Sequence, residues 1–154
     1  MSVLAELTEH PFTREFPSSV LERLADVGTA VHYSPTELVL KKGERADRFL
    51  LIVHGKATVV IDGHDGRREV LQTLGPGEVV GWSWLLDPNQ CVFDVLCQTR
   101  ISGVEFDGQV LRQLMDVDHE VGYQIARSLL AVVAGRLHAT RLRLLDLPAP
   151  KQQA

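Results

Sequence analysis

Positive charge is not in excess here: Lys and Arg number 16 against 20 Asp and Glu in 154 residues, giving a net charge of −4. A domain that grips nucleic acid presents a basic face, so direct DNA binding is not expected. Cysteine is scarce, Cys91 and Cys97 alone; this excludes a disulfide framework and points to a reduced, cytoplasmic setting. No apolar run approaches the ~20 residues that a membrane helix needs. Met1–Glu9 has no basic stretch and carries Glu6 and Glu9, unlike a secretory leader. Catalytic signatures are missing too. There is no G-x-S-x-G elbow, no G-x-x-x-x-G-K-[ST] loop and no pair of carboxylates framed by apolar residues, so an enzyme is not expected. His10, His32, His54, His64, His119 and His138 nowhere form H-x-H. That counts against a cupin-like metal enzyme, and no metal ligand is assigned.

What is present is the ordinary balance of one globular domain, 45% hydrophobic and 23% charged. Its texture changes twice. Residues 1–28 read as a helical segment: Ser19-Val20-Leu21-Glu22 has the S-x-x-E spacing of a capping box, Pro17 suits the entry, and Leu24 and Val27 continue the period. Residues 29–107 carry short aliphatic and β-branched runs, among them Phe49–Val53, Ala57–Asp62, Glu69–Leu74, Val92–Cys97 and Gly103–Phe106. They are cut by His54-Gly55, by the hairpin turn Gly63–Gly66 and by Gly75-Pro76-Gly77. Runs so short and so regularly punctuated predict a small antiparallel barrel or sandwich. Trp82–Leu86 does not alternate and reads as a short helix interrupting the sheet. Residues 108–146 turn helical again, with Asp107 capping a short helix through Met115 and a long helix running from Asp118 to Leu145. Pro148 and Pro150 stop it, leaving 147–154 as a flexible tail.

The long helix has two apolar stripes. Val121, Ile125, Leu129 and Val132 form one; Ala126, Leu130, Val133, Leu137, Thr140 and Leu144 form the other. Either both meet the β-domain over a wide contact, or the second is the seam of a homodimer; its steps of four and three favour the seam.

Two segments then carry a family resemblance. Lys41-Lys42-Gly43-Glu44 followed by Phe49-Leu50-Leu51-Ile52-Val53-His54-Gly55-Lys56-Ala57, and then Leu74-Gly75-Pro76-Gly77-Glu78-Val79-Val80-Gly81, resemble the cyclic-nucleotide-binding domain of the catabolite activator protein family. The resemblance spans roughly Ser19 to Asp146. It implies an α+β, mainly β fold: a β-roll (double-stranded β-helix or jelly roll) with an N-terminal helix and a long C-terminal helix acting as lid and dimer seam. It also implies a phosphate-binding cassette. There a helix N-terminus and an arginine hold the cyclic phosphate, a glutamate accepts a ribose hydroxyl, and a hydroxyl on the long helix reads the purine.

Carried over residue by residue, the cassette is rewritten. Gly81 matches the cassette glycine, but Trp82 stands at the glutamate position and Cys91 near the arginine position. Val92 and Phe93 replace small residues, and Asp94 adds negative charge. Val59 and Leu71 match apolar strand positions lining the family pocket, and Thr140 matches the purine-contacting threonine. The segment Gly81-Trp82-Ser83-Trp84-Leu85-Leu86-Asp87-Pro88, with Phe93-Asp94 after it, resembles that of a stand-alone bacterial subgroup of this superfamily; with the sequence ending nine residues after Leu145, a following DNA-binding domain is not expected.

The local alternatives stay open at this point. Trp82 and Trp84, two apart, are expected to diverge, one lining the pocket and one entering the core, or else to fill the pocket themselves. Ser83 donates to an anion or caps its own backbone. Asp94 meets a cationic ligand group or an indole N–H. Cys91 and Cys97 are redox-active or simply buried. Arg136, Arg141 and Arg143 form a basic face or a solvated one. The functional expectation is a non-catalytic regulatory or sensory module that does not take ordinary cyclic AMP or cyclic GMP tightly. It would act as a homodimer through a protein partner, with no cofactor beyond a cyclic nucleotide or other small-molecule ligand. The rival is a ligand-free dimeric scaffold with a self-filled pocket.

Overall fold

The computed structural model describes residues 2–146, so the tail expected over 147–154 lies outside the described residues. The chain opens with α1 (Val3–Glu9) and α2 (Ser18–Val27), then runs through β1 (Gly28–Tyr33), β2 (Leu38–Leu40), β3 (Arg48–Asp62), β4 (Arg68–Leu74), β5 (Val79–Val80) and β6 (Asp94–Asp107). It closes with α3 (Gly108–Val117) and α4 (His119–Asp146). All pairings are antiparallel in the order β1-β6-β3-β4, with β2 also on β6 and β5 on β3. This is the α+β, mainly β roll with flanking helices.

Two expected breaks turn out to be bends. Phe49–Val53 and Ala57–Asp62 belong to the single strand β3, and Gly103–Phe106 continues β6. Gly55 explains the first. Its φ of +90° and a would-be Cβ only 2.1 Å from the Arg100 carbonyl oxygen kink β3 without ending it. The β3–β6 register slips between Ile52 and Ala57 around that kink. Val92 and Phe93 fall outside β6, which starts at Asp94.

The capping box is also corrected. α2 begins at Ser18, with Pro17 as its N-cap and no side-chain cap bond. The Pro17 carbonyl accepts from Val20 and Leu21, and Ser19 sits inside the first turn. Asp107 does cap α3, its carboxylate accepting from Gln109 N at 2.8 Å and Val110 N at 3.1 Å.

β3 reads as a continuous hydrophobic run because both of its faces are covered. Phe49 and Leu51 point into a core shared with α1, α2, α3 and α4. Leu50 and Ile52 point into the interior of the roll with Val59, Leu74, Val80, Val95 and Ile101. On α4 the first stripe, Val121, Ile125 and Leu129, is buried in the helix-side core, with Val132 partly so. Among the described residues no helix is long and apolar enough to cross a membrane, and no group of three His, Cys, Asp or Glu could hold a metal ion.

Candidate functional site

Between the roll and the second half of α4 lies a cavity of about 380 Å³, within the ~300–1,000 Å³ range of small-molecule sites. Strand residues form its floor: Val59 from β3, Leu71, Gln72 and Leu74 from β4, Val80 from β5 and Val95 from β6. Val133, Arg136, Leu137 and Thr140 of α4 roof it. Gly81, Trp82, Ser83, Cys91, Val92 and Phe93, with Leu40, Ala46 and Arg48, make the remaining wall. Of the ten sequence-nominated ligand residues, then, Trp84 and Asp94 do not line it.

The segment expected as a cassette helix, 82–86, is a series of turns. Three backbone carbonyls that a helix would point along its axis are instead gathered by one side chain. Asn89 Nδ2 donates to Ser83 O (3.2 Å), Trp84 O (2.9 Å) and Leu86 O (2.8 Å). Arg112 Nη1 in turn donates to Asn89 Oδ1 at 3.0 Å. No helix N-terminus therefore faces the cavity from this segment. Gly81 keeps its role as pivot. Its φ is +83°, and a Cβ there would sit 2.7 Å from Arg48 O, so the chain turns where only glycine fits.

The two indoles part company. Trp84 is buried, with its ring 5.3 Å from that of Phe49 and its Nε1 without a hydrogen-bond partner among the described residues. Trp82 is 38% exposed and lines the cavity. Neither fills it. Asp94 does not meet an indole or a ligand position. It accepts from Lys42 N at 2.7 Å and from Arg68 Nη2 at 3.3 Å.

Cys91 and Cys97 are both free and buried. Burial pushes both thiols above the ordinary value; Asp47 and Glu44 push Cys91 the same way, so it stays a neutral thiol at the cavity wall. The Thr140 hydroxyl donates to Arg136 O at 2.9 Å, one turn back on its own helix.

Two cations that sequence reasoning did not nominate line this cavity, Arg48 and Arg136. Arg48 is offset. Burial lowers its pKa, but the neighbouring Tyr33 and Glu105 outweigh that and raise it, and Tyr33 in turn donates to Glu105. The sequence places Arg136 on a helix face, basic or merely solvated. It folds under α4 instead, donating from Nη2 to Val79 O at 2.7 Å, and burial drives its pKa below the ordinary guanidinium value while Glu78 opposes the shift. Its spacing was the available signal: Arg136 stands one before Leu137 and four before Thr140, on the flank of the second stripe. Arg143 likewise reaches back, to Leu71 O at 3.3 Å.

On the second stripe Ala126, Leu130, Leu137, Thr140 and Leu144 are exposed in the single chain, and Val133 is half-buried over the cavity.

Comparison with known proteins gives a consistent picture. Residues 30–118 match the cyclic nucleotide-binding domain family. A CRP-like cAMP-activated global transcriptional regulator of Mycobacterium tuberculosis is 31% identical over 109 residues, 71% of this chain; the chain spans 47% of that relative's length. In three dimensions the fold resembles a cyclic nucleotide-binding domain from Methylobacillus flagellatus, with TM-score 0.80 at 16% identity over 99% of this chain and 85% of that one. It also resembles the N-terminal domain of a transcriptional regulator from Streptomyces coelicolor, with TM-score 0.68 at 22% identity, covering 96% of this chain and 99% of that chain.

Proposed function

The chain belongs to the cyclic nucleotide-binding domain family, and from that premise we propose that it is a non-catalytic regulatory module whose cavity receives a small molecule other than cyclic AMP or cyclic GMP. The observation that carries this reading is a cavity of about 380 Å³ walled by Trp82 and Cys91, with no carboxylate among the described residues of its lining. A cyclic nucleotide needs an acceptor for its ribose hydroxyl and a cation at its phosphate. At these wall positions an indole offers one donor and no acceptor and a neutral thiol offers no charge; the two guanidiniums in the lining, Arg48 and Arg136, come from β3 and α4 instead. Each lost hydrogen bond to a charged group weakens binding by about 1.5–3 kcal/mol, one to two decades in affinity.

The module works as a homodimer, paired through Ala126, Leu130, Val133, Leu137, Thr140 and Leu144. It acts in the cytoplasm on a protein partner rather than on DNA. An apolar stripe at heptad steps left exposed on one chain supports the pairing.

The test is a paired titration. The wild-type chain shows no binding of cyclic AMP or cyclic GMP below the high micromolar range by calorimetry. The double variant Trp82→Glu/Cys91→Arg, which restores the acid and the guanidinium, gains cyclic-nucleotide affinity by at least tenfold. Nanomolar uptake by the wild type, or no gain in the variant, overturns the reading.

A further inference from the structure

Resting on the ligand-taking cavity just described, we infer that its ligand class is a flat aromatic carboxylate, with Arg136 holding the carboxylate and Trp82 and Phe93 flanking the ring. The charge pattern argues for an anion. Among the described residues two guanidiniums and no acid line the cavity. Arg48 is offset by Glu105. Arg136 has no acidic group within ion-pair distance among the described residues, and Glu78 acts on it only from farther away.

One hydrogen bond, from Nη2 to Val79 O, fixes the Arg136 fork against the edge of β5. Its other N–H groups carry donors in the fixed geometry that a carboxylate accepts two at a time. A half-buried cation beside Val80, Leu137 and Val133 is costly to leave uncompensated. An anion entering the cavity removes that cost.

The rest of the wall argues against a sugar. A ribose or hexose needs several acceptors and donors, whereas the polar atoms besides the guanidiniums belong to Gln72, Ser83 and Thr140, and the Thr140 hydroxyl already donates to its own helix. Two aromatic side chains and an aliphatic floor suit one or two fused rings, which bury apolar area and stack without demanding hydrogen bonds.

The experiment compares a charged probe with its neutral twin on the intact chain: 2-naphthoate against 2-naphthamide, with cyclic AMP alongside, read by thermal shift, calorimetry and tryptophan fluorescence. The acid raises the melting temperature in a concentration-dependent way and quenches the half-exposed indole of Trp82, and the amide does neither at equal concentration. Arg136→Gln weakens the acid about ten- to a hundredfold, Arg136→Lys recovers part of that loss, and Arg141→Gln, exposed on α4 and outside the cavity lining, leaves it unchanged. The acid–amide comparison on the wild type decides the matter even where a variant folds poorly. Equal responses to acid and amide overturn the anion inference while leaving a ligand-taking cavity in place. Silence of the acid beside tight cyclic AMP binding overturns the inference and the reading beneath it.

Discussion

Along α4 the same amino-acid grammar meets two fates. Val121, Ile125 and Leu129 are buried against α2, α3 and the roll. Leu137, Leu144 and Leu145, farther along the same helix, are 50%, 62% and 81% exposed. The first half is held by packing. Ser128 Oγ adds a bond to Phe12 O at 2.8 Å. The second half touches the roll through guanidiniums reaching backbone carbonyls, Arg136 to Val79 and Arg143 to Leu71. A helix fastened by dispersion and area at one end and by a pair of polar tethers at the other has its stability at the first end and its freedom at the second. The freer end is the one that roofs the cavity.

The sharpest way to break this contrast is a truncation in the packed half. Ile125→Ala removes a fully buried side chain and is expected to lower unfolding free energy by about 2–5 kcal/mol, measured by urea denaturation of both proteins at one fixed protein concentration. A loss below about 1 kcal/mol would mean that the packed half is not the anchor.

A smaller effect comes through His10, which is buried at the foot of the same anchor. Its Nδ1 accepts from Phe12 N at 3.1 Å, so the neutral ring carries its proton on Nε2 and donates to Ile52 O at 2.9 Å. Burial lowers its pKa from the model-compound value of 6.5, opposed by the Ile52 bond. A histidine with a depressed folded pKa is bound to fewer protons in the native state than in the unfolded one. Stability is therefore complete above pH 6.5 and falls as the pH drops through and below that value. His10→Gln flattens that dependence, and urea midpoints at pH 7.5 and 5.5 for the two proteins measure it. An unchanged slope would remove His10 from the anchor.

The smallest change in intrinsic stability belongs to the exposed half. Leu137→Asp/Leu144→Asp is expected to alter the unfolding free energy of the single chain by no more than about 0.5 kcal/mol. It also abolishes dimerisation in sedimentation equilibrium and any concentration dependence of the melting temperature. An intact dimer in the double variant would place the seam elsewhere.

How much of this was legible in the sequence follows from what each signal depends on. Local period and punctuation depend on the chain itself, and they located the β-rich middle, the Gly63–Gly66 hairpin and the Asp107 cap. The break read at Gly55 depends on a neighbour. Glycine ends a strand or kinks it according to what lies across the sheet, here the Arg100 carbonyl. The cassette helix was read from the loss of alternation at Trp82–Leu86, and a run of turns breaks alternation as well as a helix does. Once Asn89 collects three carbonyls, the backbone has no reason to coil. Ser19 lost the cap to Pro17 because helix entry is set by backbone geometry as well as by side-chain chemistry. Asp94 was judged by its neighbours in sequence, while its partners are Lys42 and Arg68, both distant along the chain. Arg136 was passed over for the same reason in reverse. A cation on a helix flank reads as solvated until the strand beneath it is known.

Trp84 ties the cavity wall to the helices. Its Cβ would stand 2.5 Å from any Cβ placed on Gly108, the first residue of α3, and its ring leans on Phe49. Only Ser83 separates it from Trp82 at the rim. Close-packed interiors are nearly incompressible, so Trp84 itself has no room to shift toward Gly108. Whatever the rim feels, the root of the helical layer feels with it.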